Sequence, residues 1–180
     1  MIETERLFLR PFRDADREPF AAVNADPRVG DWLGGPIDRA TSDAFIDRVT
    51  TDIAEHGFGF WAAEQKADGR LIGAIGILIM GEGKPAVGAI ELGWRLAADV
   101  HGQGLATEGA RAAKDWAFAN IDTDEVVAIT AVTNLRSQAV MRKIGMTADP
   151  AREFDHPKLP EEHPLRRHVF FAASRASGPT

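Results

Sequence analysis

Hydrophobic residues change period several times along this chain, and each change marks an element. Leu7 and Leu9 alternate with Phe8 and Arg10, so LFLRP at 7–11 reads as a strand. A helix-like stretch opens at Asp14 and Asp16 and runs to Val23; Asp26-Pro27 and Gly34-Gly35-Pro36 then break the chain. Phe45, Val49 and Ile53 recur at every fourth position and give a helix over 41–55 one apolar face. FGFWAAE (58–64) and LIGAIGILI (71–79) are strands joined through an Asp68-Gly69 turn, and after the GEGKPA break AIELGWRL (89–96) is a fourth strand. From Gly104 the period lengthens again. Leu105, Ala106, Gly109, Ala110, Ala113, Trp116 and Ala117 form the stripe of an amphipathic helix over 104–119. VVAIT (126–130) is a short strand, and 137–144 a short helix closed by Gly145. Two last strands are expected at 147–154 and 168–173, separated by the three-proline loop DHPKLPEEHP.

The order of elements predicts an α/β domain around a mixed sheet of about seven strands with about four flanking helices. The early hairpins argue against a fully parallel, doubly wound sheet. With 180 residues the chain suits one domain with its own core. That domain is expected over 3–173, with 174–180 as a flexible tail.

Composition narrows the chemistry. The net charge is −6, so no basic face for nucleic acid is expected, and an acidic surface weakly favours an amine-bearing partner. There is no cysteine, which excludes thiolate catalysis, disulfides and cysteine-type zinc sites. There is no tyrosine either. The N-terminal MIETERLFLR lacks a signal-peptide core, and no apolar run reaches membrane-spanning length, so a cytoplasmic location without membrane contact is expected.

The densest chemical signal is HGQGLATEG at 101–109, where a strand gives way to a helix. A helix N-terminus presents unpaired N–H groups and the positive end of its dipole, an anion site suited to phosphate. Gly102, Gly104 and Ala106 keep side chains out of the way, and Thr107 adds a hydroxyl. A plain glycine loop is the bland alternative. A P-loop would place Lys-Ser/Thr after Gly104, where Leu105 stands; a dinucleotide fingerprint would need a third small residue at the position of Thr107.

With its surroundings this stretch resembles the GNAT superfamily of coenzyme A-dependent N-acyltransferases. The family's pyrophosphate loop, Gln/Arg-x-x-Gly-x-Gly/Ala, is similar to His101-Gly102-Gln103-Gly104-Leu105-Ala106, with His101 as a departure. ERLFLRPF (5–12), Thr107-Glu108-Gly109-Ala110 and NLRSQAVMRKIGM (134–146) resemble the ribosomal-protein N-terminal acetyltransferase branch, the RimJ/RimL type. The resemblance implies a mostly antiparallel sheet whose fourth and fifth strands splay, with the pantetheine arm of acetyl-CoA in the gap. It places Gly93, Trp94, Arg95 and Leu96 along that arm, with a bulge at Gly93. It puts 101–107 on the pyrophosphate, Asn134 on the pantetheine and Ser137 near the sulfur. Lys143 is either near the adenosine end or a solvated helix lysine.

Acetyl transfer to an amine needs a proton removed from the nucleophile and the leaving thiolate stabilised. Many family members use a tyrosine as the acid; this chain has none. Ser137 is the candidate replacement, and the competing reading makes it the N-cap of helix 137–144. Glu91, among Ile90, Leu92 and Trp94, is the candidate base, with an elevated pKa expected from apolar surroundings. The competing reading is a salt bridge, with Arg95 as one partner, or a solvent-facing edge position. His156, His163 and His168, with Glu161 and Glu162 nearby, fit no compact zinc spacing, so no metal is expected; their loop borders the acceptor site. Trp32 and Trp61 either line that site or fill core, Trp61 more readily the latter.

The expected activity is acetyl transfer from acetyl-CoA to a primary amine by direct attack in a ternary complex. The acceptor is open among a protein N-terminus, a polyamine, an amino acid and an aminoglycoside; the state is monomer or homodimer. The competing function is a non-catalytic acyl-CoA-binding domain. A dinucleotide-dependent oxidoreductase is a third, which the strand order disfavours.

Overall fold

The computed structural model describes residues 1–175. In chain order it contains β1 (Ile2–Glu3), β2 (Leu7–Arg10), α1 (Arg17–Ala25), α2 (Pro27–Gly30), α3 (Arg39–His56), β3 (Phe60–Gln65), β4 (Leu71–Ile79), β5 (Ile90–Leu96), α4 (Leu105–Asn120), β6 (Glu125–Ala131), α5 (Leu135–Lys143), β7 (Thr147–Ala148), β8 (Phe154–Asp155) and β9 (Arg167–Ser174). All nine strands form one sheet in the order β1-β2-β3-β4-β5-β6-β9-β7, with β8 also on β9. Every pairing is antiparallel except β5 with β6. The expected α/β class and mostly antiparallel sheet are present, with more and shorter pieces than the periodicity suggested.

The extra pieces have local causes. The strand expected over 147–154 is interrupted because Pro150 has no N–H for a ladder, and the Asp149 side chain accepts from Ala151 N–H to start a 3₁₀ turn at Pro150–Arg152. The turn expected at Asp26-Pro27 winds into α2, with proline at its first position and the Asp26 carboxylate accepting from Arg28 N–H at 2.9 Å. β9 runs on to Ser174, and Arg175 donates to the carbonyls of Ile121 and Thr123. These two residues of the expected tail are therefore anchored; 176–180 lie outside the described residues.

Helices cover both faces of the sheet. On one, the small-residue stripe of α4 (Ala110, Ala113, Ala117) packs with Leu7, Ile75, Leu92 and Val126. Ile75 fills the place where a Cβ at Gly109 would stand, so glycine there lets α4 settle onto the strands. On the other face, Phe20 of α1 and Ile46 of α3 pack on Ala62, Leu71 and Ala74. The sharp entry into α1 is held by charge: Arg10 bonds Asp16 through both terminal nitrogens at 2.6 and 2.9 Å and reaches Glu64 through Nε at 2.8 Å. No helix among the described residues is long and apolar enough to cross a membrane.

Candidate active site

The site begins where one ladder stops. β5 and β6 pair in parallel only at Ile90 with Val126 and Glu91 with Val127. Beyond that point β5 stays with β4 as far as Leu96, while β6 follows β9 as far as Ala131, so the two strands part. Backbone groups of β5 that point away from β4 past Glu91 have no ladder partner, which leaves an open polar edge inside the fold. The pairing of β5 with β4 crosses Gly93 without a register shift, so the expected bulge is absent. Gly93 is glycine for a different reason: a Cβ there would lie 2.6 Å from Cζ of Phe60.

A cavity of about 480 Å³ opens from this gap. Trp94, Arg95 and Leu96 form one wall, and His101, Gly102 and Gly104 to Thr107 form its end. Asn134, Ser137 and Lys143 lie along α5, and Val29, Trp32 and Leu33 come from the α2 region. Glu91, Gly93 and Gln103 do not line it.

The loop before α4 is shaped for an anion. Gly102 and Gly104 have φ of +79° and +82°, a left-handed conformation that side chains with a Cβ disfavour. Asp26, Asp38 and Asn134 cap α2, α3 and α5 with their side chains, but Gly104 offers α4 none. The first amides of α4 therefore face the cavity end uncapped, with the dipole's positive end behind them. His101 Nε2–H donates to the Leu96 carbonyl at 3.0 Å, tying the loop to the end of β5. Gln103 turns outward, donating from Nε2 to the Asp99 carbonyl.

Two residues that lie in the motifs, but to which the sequence assigned no role, brace this loop. Glu108 accepts from Thr4 Oγ1, Arg6 N–H and Arg6 Nε at 2.6–2.7 Å, and Arg6 Nη1 donates to the Gln103 carbonyl at 3.0 Å. Burial pushes the Glu108 carboxyl up, but the bonds from Thr4 and Arg6 outweigh it and hold it below its usual range. Their partners lie about a hundred positions away in the chain, so no spacing in the sequence could have revealed them.

Ser137 is not the N-cap of α5. Asn134 is: its Oδ1 accepts from Ser137 N–H at 3.2 Å. Asn134 Nδ2 donates to Thr130 Oγ1 at 3.0 Å and to Ser137 Oγ at 3.2 Å. Ser137 Oγ thus accepts one bond on the cavity wall and donates none among the described residues. Lys143 ends α5, and with Arg136 and His101 it places basic groups along the cavity.

Glu91 is engaged elsewhere. Its carboxylate sits 2.7 Å from Lys84 Nζ, with both side chains largely buried, so the expected salt bridge exists but with Lys84 rather than Arg95. The His156 and His168 rings stack at 4.9 Å, while His163 lies in a separate turn, its Nδ1 accepting from Leu165 N–H. Among the described residues no three His, Cys, Asp or Glu side chains converge as metal ligands. Trp61 is buried core against Trp116; Trp32 lines the cavity.

Burial, and then the charges of His168, Lys84 and Lys158, lowers the pKa of His156; burial is also the leading cause for His168, with the Arg166 carbonyl opposing and Lys84 adding to it. A folded-state pKa below the unfolded value of about 6.5 means the unfolded chain binds more protons just below that pH. Stability is therefore whole above about pH 6.5 and falls as the pH drops through that value toward the lower folded pKa. His168→Gln should flatten this fall in melts run between pH 7.5 and 5; parallel curves for variant and parent would assign the titration to other groups.

Comparison with known proteins agrees with this geometry. A family model described as an acetyltransferase (GNAT) domain matches residues 6–147. A crystal structure of an acetyltransferase from Agrobacterium tumefaciens superposes with a TM-score of 0.77 at 30% identity, covering 97% of this chain and 94% of that one. FsC-acetyl coenzyme A-N(2)-transacetylase of Aspergillus fumigatus is 30% identical over 81% of this chain and 64% of its own length. RimJ of Mycobacterium smegmatis, solved with CoA-disulfide, shares the fold at a TM-score of 0.73 but only 18% identity, over 93% of this chain and 81% of that one. The parted strands and the uncapped glycine loop thus sit in a chain that belongs to the GNAT acetyltransferase family.

Proposed function

We propose that the protein transfers the acetyl group of acetyl-CoA to a primary amine by direct attack, without a covalent enzyme intermediate. The observation that carries this reading is the continuity of one cavity from the uncapped N-terminus of α4, past the free edge of β5, to the Ser137 hydroxyl. The amides of Leu105 to Thr107 would hold the pyrophosphate, with Lys143 and Arg136 adding positive charge. The open backbone of Trp94 to Leu96, which lines the cavity, would pair with the pantetheine amides. The amine nitrogen attacks the thioester carbon, the C–S bond breaks, and the thiolate leaves.

Ser137 would donate its hydroxyl proton toward that thiolate. Glu91, tied to Lys84 outside the cavity, fits poorly as the direct base, so water takes the amine's proton in this reading. A protein N-terminal amine is the acceptor suggested by the RimJ/RimL likeness, in a soluble cytoplasmic monomer or homodimer that binds neither membrane nor nucleic acid.

Thiol release from acetyl-CoA across a panel of amines and N-terminal peptides tests the activity. Tight CoA binding with no amine consumed would instead support a non-catalytic acyl-CoA-binding domain. Ser137→Ala should lower kcat about ten- to a hundredfold, the worth of one hydrogen bond to a charged group. Because Asn134 supplies the cap, the melting temperature should barely move. Unchanged kcat would remove Ser137 from the chemistry.

A further inference from the structure

Arg95 is a half-buried cation without a carboxylate partner among the described residues. It stands on β5, and its side chain turns onto the face covered by α1 and α3, where the guanidinium lies 5.8 Å from the Phe20 ring centre and 5.0 Å from that of Phe45. Its one hydrogen bond among the described residues runs from Nη1 to Asn24 Oδ1 at 2.7 Å, and Asn24 is itself fully buried and held by Ser42. Nε is buried with no partner at all. No carboxylate among the described residues pairs with it, although most other arginines in the fold have one.

The neighbouring charge makes this worse. Arg48 lies over the same Phe45 ring at 5.3 Å and adds repulsion. Burial, followed by Arg48, brings the Arg95 pKa down to about 10. A desolvated, unpaired guanidinium is costly, and chains of this composition have many acids that could have neutralised it. Asn24 and the two phenylalanines hold the group in place and leave its charge unanswered. Arg95 also lines the cavity that contains Ser137 and the α4 loop.

Resting on the acetyl-transfer reading above, but replacing the protein N-terminus with a free amino acid as acceptor, we infer that the acceptor amine carries a carboxylate close to its nitrogen, and that the Arg95 guanidinium pairs with it. The substrate class is that of α- and β-amino acids and their derivatives with a free carboxyl group. A guanidinium presents parallel N–H donors that match a carboxylate, which a lysine at this position could not do. The amine is drawn to an acidic protein, while the carboxylate finds a largely desolvated cation that no carboxylate among the described residues neutralises. Arg95 is in this account a specificity residue.

The test pairs each L-amino acid, and β-alanine, with its carboxamide, and follows thiol release from acetyl-CoA. The acids should exceed their amides in kcat/KM by about ten- to a hundredfold, since an unpaired desolvated charge rejects a neutral group strongly. In Arg95→Gln, which keeps a donor for Asn24, that preference should shrink to within about threefold, through KM of the acceptor. Arg95→Lys should restore only part of it. If the wild-type enzyme consumes amides as well as acids, the inference fails while the acetyltransferase reading stands. If no amine in the panel is consumed, calorimetry of the same pairs on the CoA-loaded protein decides: acids binding more tightly than amides, and losing that margin in Arg95→Gln, supports the carboxylate site, and equal binding overturns it. Loss of CoA affinity in Arg95→Gln, with the acid preference intact, would also overturn it by placing the guanidinium on a phosphate. The melting temperature supplies a readout apart from activity. Relief of an unpaired desolvated charge should leave Arg95→Gln as stable as the parent or more so, whereas a marked drop with an intact acid preference would make Arg95 structural.

Discussion

Gly104→Val is expected to weaken coenzyme A binding by about 2–4 kcal/mol, roughly 30- to 1,000-fold. Gly104 holds φ at +82°, where a β-branched residue is strained, and it is the last residue before the uncapped amides of α4. Valine would either store that strain or relax it by rotating the loop. Relaxation would re-aim the Leu105–Thr107 amides and disturb the carbonyl of Gln103 that Arg6 holds. Gly69→Val is the control. Gly69 has φ +71° in open space in the β3–β4 turn, so it carries comparable strain far from the cavity. Calorimetry with coenzyme A on both folded variants isolates the loop's role. Equal, small losses would reduce Gly102 and Gly104 to ordinary turn residues.

Asp16→Ala should cost about 3 kcal/mol of stability, because it strands Arg10 inside the fold. The side chains of Arg10 and Asp16 are 6% and 7% exposed, so water cannot replace the lost partner. The cost sits at the low end of the range for a broken buried pair because Glu64 still reaches Arg10. For a domain of this size that amounts to a melting temperature lower by about 6–12 °C. Asp14, almost fully exposed and only loosely paired with Arg17, should change stability by less than about 0.5 kcal/mol when replaced by alanine. Burial pushes the Asp16 carboxyl upward, yet its bonds from Arg10 and from Arg13 N–H prevail and hold it below its usual range. Its contribution is therefore present above about pH 4 and is lost as the pH falls further, through the lowered folded value. Chemical denaturation at pH 7 and pH 3 should show the difference between parent and Asp16→Ala narrowing in acid. A constant difference would assign the effect to packing.

The two predictions draw on signals of different visibility. The loop was legible because its demands are local: left-handed backbone favours glycine, and a glycine N-cap leaves the first amides of the helix without a capping side chain. Both are written in consecutive residues, HGQGLATEG. The α4 stripe and the long strand over 71–79 were legible for the same reason, since periodicity records which face meets the core. The division of the last strands was harder to see, because Thr147–Ala148 and Phe154–Asp155 are two-residue ladders selected by β9 as a partner and not by their own pattern.

The amino-acid order alone was enough to predict the class of fold, the glycine loop and its place between a strand and a helix, the serine on the following short helix, and the absence of cysteine and tyrosine side chains. These follow from interactions within a few residues or from which residue types are present. The fold was needed to settle which charges meet. Glu91 was open between a base, a salt bridge with Arg95 as one partner, and an edge position until the β4–β5 connection brought Lys84 to it. Ser137 was open between an acid and an N-cap until Asn134 took the cap three residues earlier. Arg6 and Glu108 brace the loop across 102 positions, and Arg95 finds Asn24 across 71 and no acid among the described residues. Pairing across such separations depends on strand order and on which helix covers which face. Those are set by the packing of the whole core, and no local window of the chain contains them.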